Sequence, residues 1–206
     1  MQNPATIYVV RHAQTDWNAF KRIQGHTDIP LNKAGEEQAY RAKDLFNKIH
    51  FDAVFSSDLL RAKKTAEIIT LERDLTVMTT VALRERNFGE LEGAYIAEIS
   101  NMEKVLDTLS HEERFVHKMT PNMENDEELV GRFITFVREV SVAYAGKHVL
   151  MVSHGALLRM FLIHLGVGTY QSLGHGTIEN TAYIKMLADG TDFAVQELYG
   201  VHIQDK

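Results

Sequence analysis

Short β-branched runs alternate with amphipathic helical repeats along this chain, and that alternation restricts the fold more than any other feature. Thr6-Ile7-Tyr8-Val9-Val10, Ala53-Val54-Phe55 and His148-Val149-Leu150-Met151-Val152 read as strands. Helical faces follow them or lead into them. Ala42, Leu45, Phe46 and Ile49 line up behind Asn32, a residue placed as an N-cap, and Leu59, Ala62, Ala66 and Ile69 behind Asp58, placed the same way. Asn125 and Glu128 form a capping pair before Leu129, Phe133, Val137, Val140 and Tyr144, in a helix expected to end near Gly146. Ala156 to Ile163 is apolar almost all round, as a helix buried against a sheet would be, with a stop at Gly166. A short strand is expected around Thr76 to Thr79, and two closing strands, Thr181 to Leu187 and Phe193 to Leu198, about the turn Asp189-Gly190. Parallel strands need crossover connections, so the pattern predicts an α/β fold of three layers, α/β/α, around a mostly parallel central sheet. We expect one domain over residues 1–206, with an insertion at about 94–124 that roofs the cleft and offers Lys104, Arg114, Phe115, His117 and Lys118 to a substrate.

Composition removes several classes of function. A formal net charge of −6 argues against a protein that grips nucleic-acid backbone. No stretch of about 18 apolar residues is present for a membrane span, and Met1 to Thr6 lacks the pattern of a secretory signal, so a cytoplasmic protein is expected. With no cysteine, disulfides, thiolate metal sites and cysteine nucleophiles are all excluded. Neither phosphate-binding glycine motif occurs, which argues against a nucleotide cofactor. His111 and His117 fall on different faces of a helix and read as solvated, and no His-Glu-x-x-His pair exists, so no metal and no cofactor are expected.

In open α/β sheets, ligands bind outside the carboxyl ends of the strands. Arg11-His12, Ser57 with Arg61, and Ser153-His154 stand at three such ends and should share one crevice. Two arginines and two histidines suit a phosphoryl group, whose negative charge is spread over oxygens that fixed donors can hold. A neutral imidazole accepts a phosphoryl group, which makes His12 the candidate nucleophile. The departing alkoxide needs a proton, and Glu85, flanked by Arg84 and Arg86, is the candidate acid. Gly155 and Ala156, at a helix start, can add backbone amides to the phosphate.

Arg11-His12-Ala13-Gln14-Thr15 with Trp17-Asn18, Gln24-Gly25-His26, Pro30-Leu31 and Gly35 resembles the signature of the histidine phosphatase superfamily, which contains the cofactor-dependent phosphoglycerate mutases. Ser56-Ser57-Asp58-Leu59 with Arg61-Ala62 and Thr65-Ala66, Leu83-Arg84-Glu85 with Phe88-Gly89 and Glu92-Gly93, and Val152-Ser153-His154-Gly155 follow in the family's order. The resemblance implies that His12 is phosphorylated, that Arg11, Arg61 and His154 complete the phosphate pocket, and that Glu85 is the proton donor. It further implies that Asn18, Gln24 and Ser57 contact phosphate or substrate. Ala13, Gln14 and the run Glu124-Asn125-Asp126-Glu127-Glu128 depart from the family's commonest pattern. The function expected is a metal-independent phosphatase acting on small phosphate monoesters through phosphohistidine. The alternatives are a phosphoglycerate mutase and a non-catalytic module that binds phosphorylated ligands.

Overall fold

The computed structural model describes residues 3–204, without the side chains of 100–103. Its elements run β1 (Ala5–Arg11), α1 (Asp16–Ala19), α2 (Lys33–Leu45), β2 (Ala53–Ser57), α3 (Leu60–Ile69), β3 (Val77–Thr80), α4 (Ile96–Leu106), α5 (His111–Val116), α6 (Asp126–Ala143), β4 (His148–Ser153), α7 (Gly155–His164), β5 (Ile178–Ala188) and β6 (Phe193–Val201). The six strands form one sheet in the order β3-β2-β4-β1-β5-β6. β3, β2, β4 and β1 are mutually parallel, while β5 and β6 close the sheet as antiparallel neighbours.

Side chains alternate across a strand, and this periodicity builds the three layers. Ile7 and Val9 of β1 and Val149 and Met151 of β4 pack with Leu129, Phe133 and Val137 of α6 and Leu157, Leu158 and Phe161 of α7. Tyr8 and Val10, with Leu150 and Val152, face the other way, onto Ala42 and Phe46 near the end of α2 and Ala62, Ala66 and Ile69 of α3. β1 and β4 are thus covered on both faces, which is why they read as unbroken apolar runs.

Several local expectations are corrected. Leu45 does not join the buried face; it is 46% exposed, and Ala39, Ala42 and Phe46 carry that contact. Asp58 does not cap α3. Its carboxylate is held by Arg84 through two bonds of 2.7 and 2.6 Å, and the amide of Leu60 donates instead to Asp28 Oδ1 at 2.7 Å. A cap drawn from about thirty residues upstream has no local sequence signal. β3 begins one residue later than expected, and β5 and β6 extend beyond the runs read from the sequence. Asn32 and the pair Asn125 and Glu128 cap α2 and α6 as expected.

Candidate active site

The parallel register of β1 and β4 sets Arg11 opposite Ser153, so the next residues, His12 and His154, leave the sheet side by side. Their rings lie 5.1 Å apart, and both side chains are almost wholly buried. Backbone bonds brace the exit: His12 N–H donates to Ser153 O at 2.9 Å, Ala13 N–H to Thr65 Oγ1 at 3.0 Å, and Asn180 Nδ2 to His12 O at 3.0 Å. His12 Nδ1 lies 2.7 Å from the carbonyl of Ala13. A carbonyl only accepts, so Nδ1 carries the proton and the lone pair is left on Nε2.

Arg61, in the first turn of α3, donates Nη1 and Nη2 to the carbonyls of Thr27 and Gly25 at 2.9 and 2.7 Å. Its guanidinium is fully buried, and desolvation lowers its pKa to about 10, which leaves it charged at neutral pH. Arg11 donates to the carbonyl of Ile178 and crosses the start of α7. A Cβ at Gly155 would meet Arg11 Nε at 3.1 Å, so the absence of a side chain there admits the arginine. Burial, then Arg61, then Arg11 hold the His12 pKa well below the usual value of 6.5, and burial followed by Arg61 does the same to His154. Both imidazoles are therefore neutral at physiological pH.

Buried polar atoms without a protein partner are rare in folded chains. Among the described residues, Arg11 Nε, Arg61 Nε, Gln24 Oε1 and both ring nitrogens of His154 are such atoms. Arg11, Arg61 and Gln24 line a cleft of about 470 Å³ together with His12, Asn18, Glu85, Gly155 and Asn180. His154 is fully buried and packs against His12, itself a lining residue.

Glu85 sits where the loop after β3 meets α7. Its Oε1 accepts from Arg86 N at 2.9 Å and Leu157 N at 3.2 Å, and its Oε2 accepts from Ala156 N at 3.2 Å. The amide of Ala156, expected to serve phosphate, is thus engaged by the carboxylate.

A model of the histidine phosphatase superfamily, branch 1, matches residues 7–199. The chain belongs to this superfamily. It is 32% identical over 191 residues to an uncharacterized phosphatase, PhoE, of Bacillus subtilis, covering 93% of this chain and 90% of that protein. A broad-specificity phosphatase of Saccharomyces cerevisiae is 34% identical over 179 residues, 82% of this chain and 74% of its own. The fold superposes on a phosphoglycerate mutase from Bacillus anthracis with a TM-score of 0.82 at 28% identity, covering 97% of this chain and 94% of the other.

Within this histidine phosphatase fold the remaining expected site residues fall in different places. Gln24 and Asn18 line the cleft, but Asn18 Oδ1 also accepts from Thr15 N at 3.1 Å in the capping box of α1. Ser57 is fully buried and not among the lining residues; its Oγ accepts from Leu59 N at 3.3 Å. Of the region expected to roof the cleft, Ile96 reaches it among the described residues. Arg114 turns instead to Tyr170 and Asp107, and Lys118 to Glu128. Lys21, Arg22, Ile23, Phe88, Arg159, His175 and Ile178 also line the cleft.

Sequence reasoning gave no supporting role to three residues, Asn180, Glu92 and Arg132. Asn180 is aimed at the His12 backbone by Thr181, a β-branched residue at φ 62° where β5 breaks register against β6. Such a conformation costs about 1–3 kcal/mol. Glu92 accepts from His26 N at 2.8 Å and Thr27 N at 2.9 Å and so shapes the loop that Arg61 grips. A Cβ at Gly25 would lie 2.1 Å from Glu92 Oε1, which accounts for that glycine. Arg132 Nη2 donates to Glu85 O at 2.9 Å, across 47 positions of sequence.

Proposed function

We propose that the protein hydrolyses small phosphate monoesters through a phosphohistidine on His12. The observation that carries this reading is the convergence of Arg11 Nε, Arg61 Nε and the two nitrogens of His154, all buried without protein partners, beside an imidazole whose Nε2 holds its lone pair. Fixed donors of this kind offset charge on a phosphoryl group without reorganising during the reaction. In the first step His12 Nε2 bonds to phosphorus, the ester P–O bond breaks, and Glu85 gives a proton to the leaving oxygen. In the second, Glu85 takes a proton from water as it attacks, the P–N bond breaks, and phosphate leaves with His12 neutral again. Arg11, Arg61 and His154 hold the phosphoryl oxygens throughout, with Gln24 and Asn18, which line the same cleft, as further ligands of the group. The phosphatase names of the Bacillus subtilis and yeast relatives support hydrolysis.

The likeness to the Bacillus anthracis mutase favours a second reading, in which the phosphoryl group returns to a bound phosphoglycerate. One experiment separates them. We expect phosphate release from a panel of monoesters, acid-labile label on wild-type protein quenched during turnover, and neither label nor appreciable turnover in His12→Ala. Interconversion of 3- and 2-phosphoglycerate that outpaces phosphate release from every monoester would establish the mutase, and label retained by His12→Ala would remove His12 from the reaction.

A further inference from the structure

Glu85 lies in a stretch without regular secondary structure, so its position depends on the contacts that hold residues 84–88. Arg84 is fastened to Asp58, the carbonyl of Glu85 accepts from Arg132 Nη2 and His26 Nε2 at 2.9 Å each, and Asn87 N–H donates to Glu124 Oε2 at 3.1 Å. Arg86 has a more selective link. Its amide donates to Glu85 Oε1 at 2.9 Å, while its guanidinium pairs with Asp126 Oδ1 in a contact where both side chains are 7% exposed. Asp126 Oδ2 in turn accepts from Tyr170 Oη at 2.7 Å, and the Arg114 guanidinium lies 3.9 Å from the Tyr170 ring centroid.

Asp126 belongs to the acidic run 124–128, whose departure from the family pattern the reaction itself does not use. It is the junction of two parts of the cleft. One side is the loop carrying Glu85, and the other is the segment from Tyr170 to Gly176, whose Gly174, His175 and Gly176 line the cleft wall. We propose that Asp126 is a positioning residue: by anchoring Arg86 it fixes the orientation of the Glu85–Arg86 peptide, and so the direction in which the Glu85 carboxyl meets the leaving group. This rests on the acid role proposed above for Glu85.

Two of the three amides that hold the Glu85 carboxylate, those of Ala156 and Leu157, are rigid parts of α7, whereas the third is the amide of Arg86 itself. Rotation of that one peptide swings the carboxyl group relative to α7; the bonds from Arg132 and His26 restrain its carbonyl end, and the buried ion pair restrains the Arg86 end. A displacement of about 1 Å at a proton donor is enough to cost a large part of its catalytic contribution.

The test compares an alkyl phosphate, whose leaving group needs a proton, with 4-nitrophenyl phosphate, whose leaving group does not. Asp126→Asn should lower kcat for the alkyl ester about tenfold more than for the aryl ester, in the same sense as Glu85→Gln. Added to Glu85→Gln it should cause no further change in that ratio, because the two residues act on one step. Tyr170→Phe removes a single bond to Asp126, keeps the ion pair, and should shift the ratio by about two- to fivefold; it carries the test if Asp126→Asn does not fold. Equal losses on both esters, or a ratio change that persists in the Glu85→Gln background, would assign Asp126 a purely structural role and overturn the proposal. If Glu85→Gln itself shows no leaving-group dependence, the acid assignment fails and the clamp fails with it.

Discussion

His12 is an imidazole between two guanidinium groups, and that setting decides its charge. Desolvation, Arg61 and Arg11 keep it neutral, as desolvation and Arg61 keep His154. The pH dependence of stability follows. A histidine whose native pKa lies below its unfolded value near 6.5 contributes its full share above that pH. As pH falls below 6.5 the unfolded chain binds protons that the native state refuses, and stability is lost until the native value is passed. Denaturant midpoints in phosphate-free buffer should therefore drop from pH 7.5 to 5.5, by up to about 1.4 kcal/mol per pH unit for each of the two histidines. A flat or rising profile would contradict two buried neutral imidazoles. At Glu85, replacement by glutamine removes the proton transfer proposed for it but retains the shape and one carbonyl acceptor. Turnover of alkyl phosphates should fall by about 10²- to 10⁴-fold and that of activated aryl phosphates by much less, as measured by kcat across a leaving-group series. The two histidines were legible in the sequence because each stands at a strand exit beside a second polar residue, and Glu85 because two arginines flank it.

At the scale of elements, the site depends on how closely α2 and α7 approach the loop after β1. A Cβ at Gly35 would lie 2.0 Å from the carbonyl oxygen of Gln14, so α2 rests directly on the backbone that follows His12 and Ala13. Gly35→Ala should cost about 1–3 kcal/mol of stability by overpacking and should also lower turnover, since the strain falls on the loop that follows His12, the proposed nucleophile. Chemical denaturation and steady-state kinetics on the same preparation check both, and unchanged stability would show that the contact yields. The period-2 and helical apolar patterns located the main elements well, because burial imposes those periods directly. Leu45 matched the helical period and still faces solvent, since the helix ends beside it and Phe46 takes the buried place. Asp58 had the residue type and spacing of a cap, yet Arg84 claimed it. Local patterns cannot rank a nearby amide against a distant guanidinium.

Over the whole molecule, a chain of net charge −6 gathers Arg11, Lys21, Arg22, Arg61 and Arg159 around one cleft in which Glu85 is the single carboxylate among the described lining residues. Focused positive potential of this kind concentrates anionic substrates and supplies the charge stabilisation that a divalent ion provides in other phosphoryl-transfer sites. Hydrolysis should accordingly be unaffected by EDTA. Loss of activity in chelator, restored by magnesium or zinc, would show that the guanidinium and imidazole groups are insufficient.

By itself the sequence determined the layer order, the family, and the residue types that meet at the ends of β1, β2 and β4, because strand alternation and strand-exit position are properties of contiguous residues. Tertiary structure alone decided which neighbours those residues acquire. Expected phosphate ligands divided into cleft-lining Gln24 and Asn18 and a buried Ser57 that braces α3. Further cations of the cleft came from the loop after α1 and from α7 rather than from α4 and α5. The support of Glu85 came from Arg132 and from Arg86 paired with Asp126. The contacts of Arg132 with Glu85 and of Arg86 with Asp126 join residues 47 and 40 positions apart; they are set by the packing of α6 and α7 on the sheet, and no periodicity within a single segment encodes them.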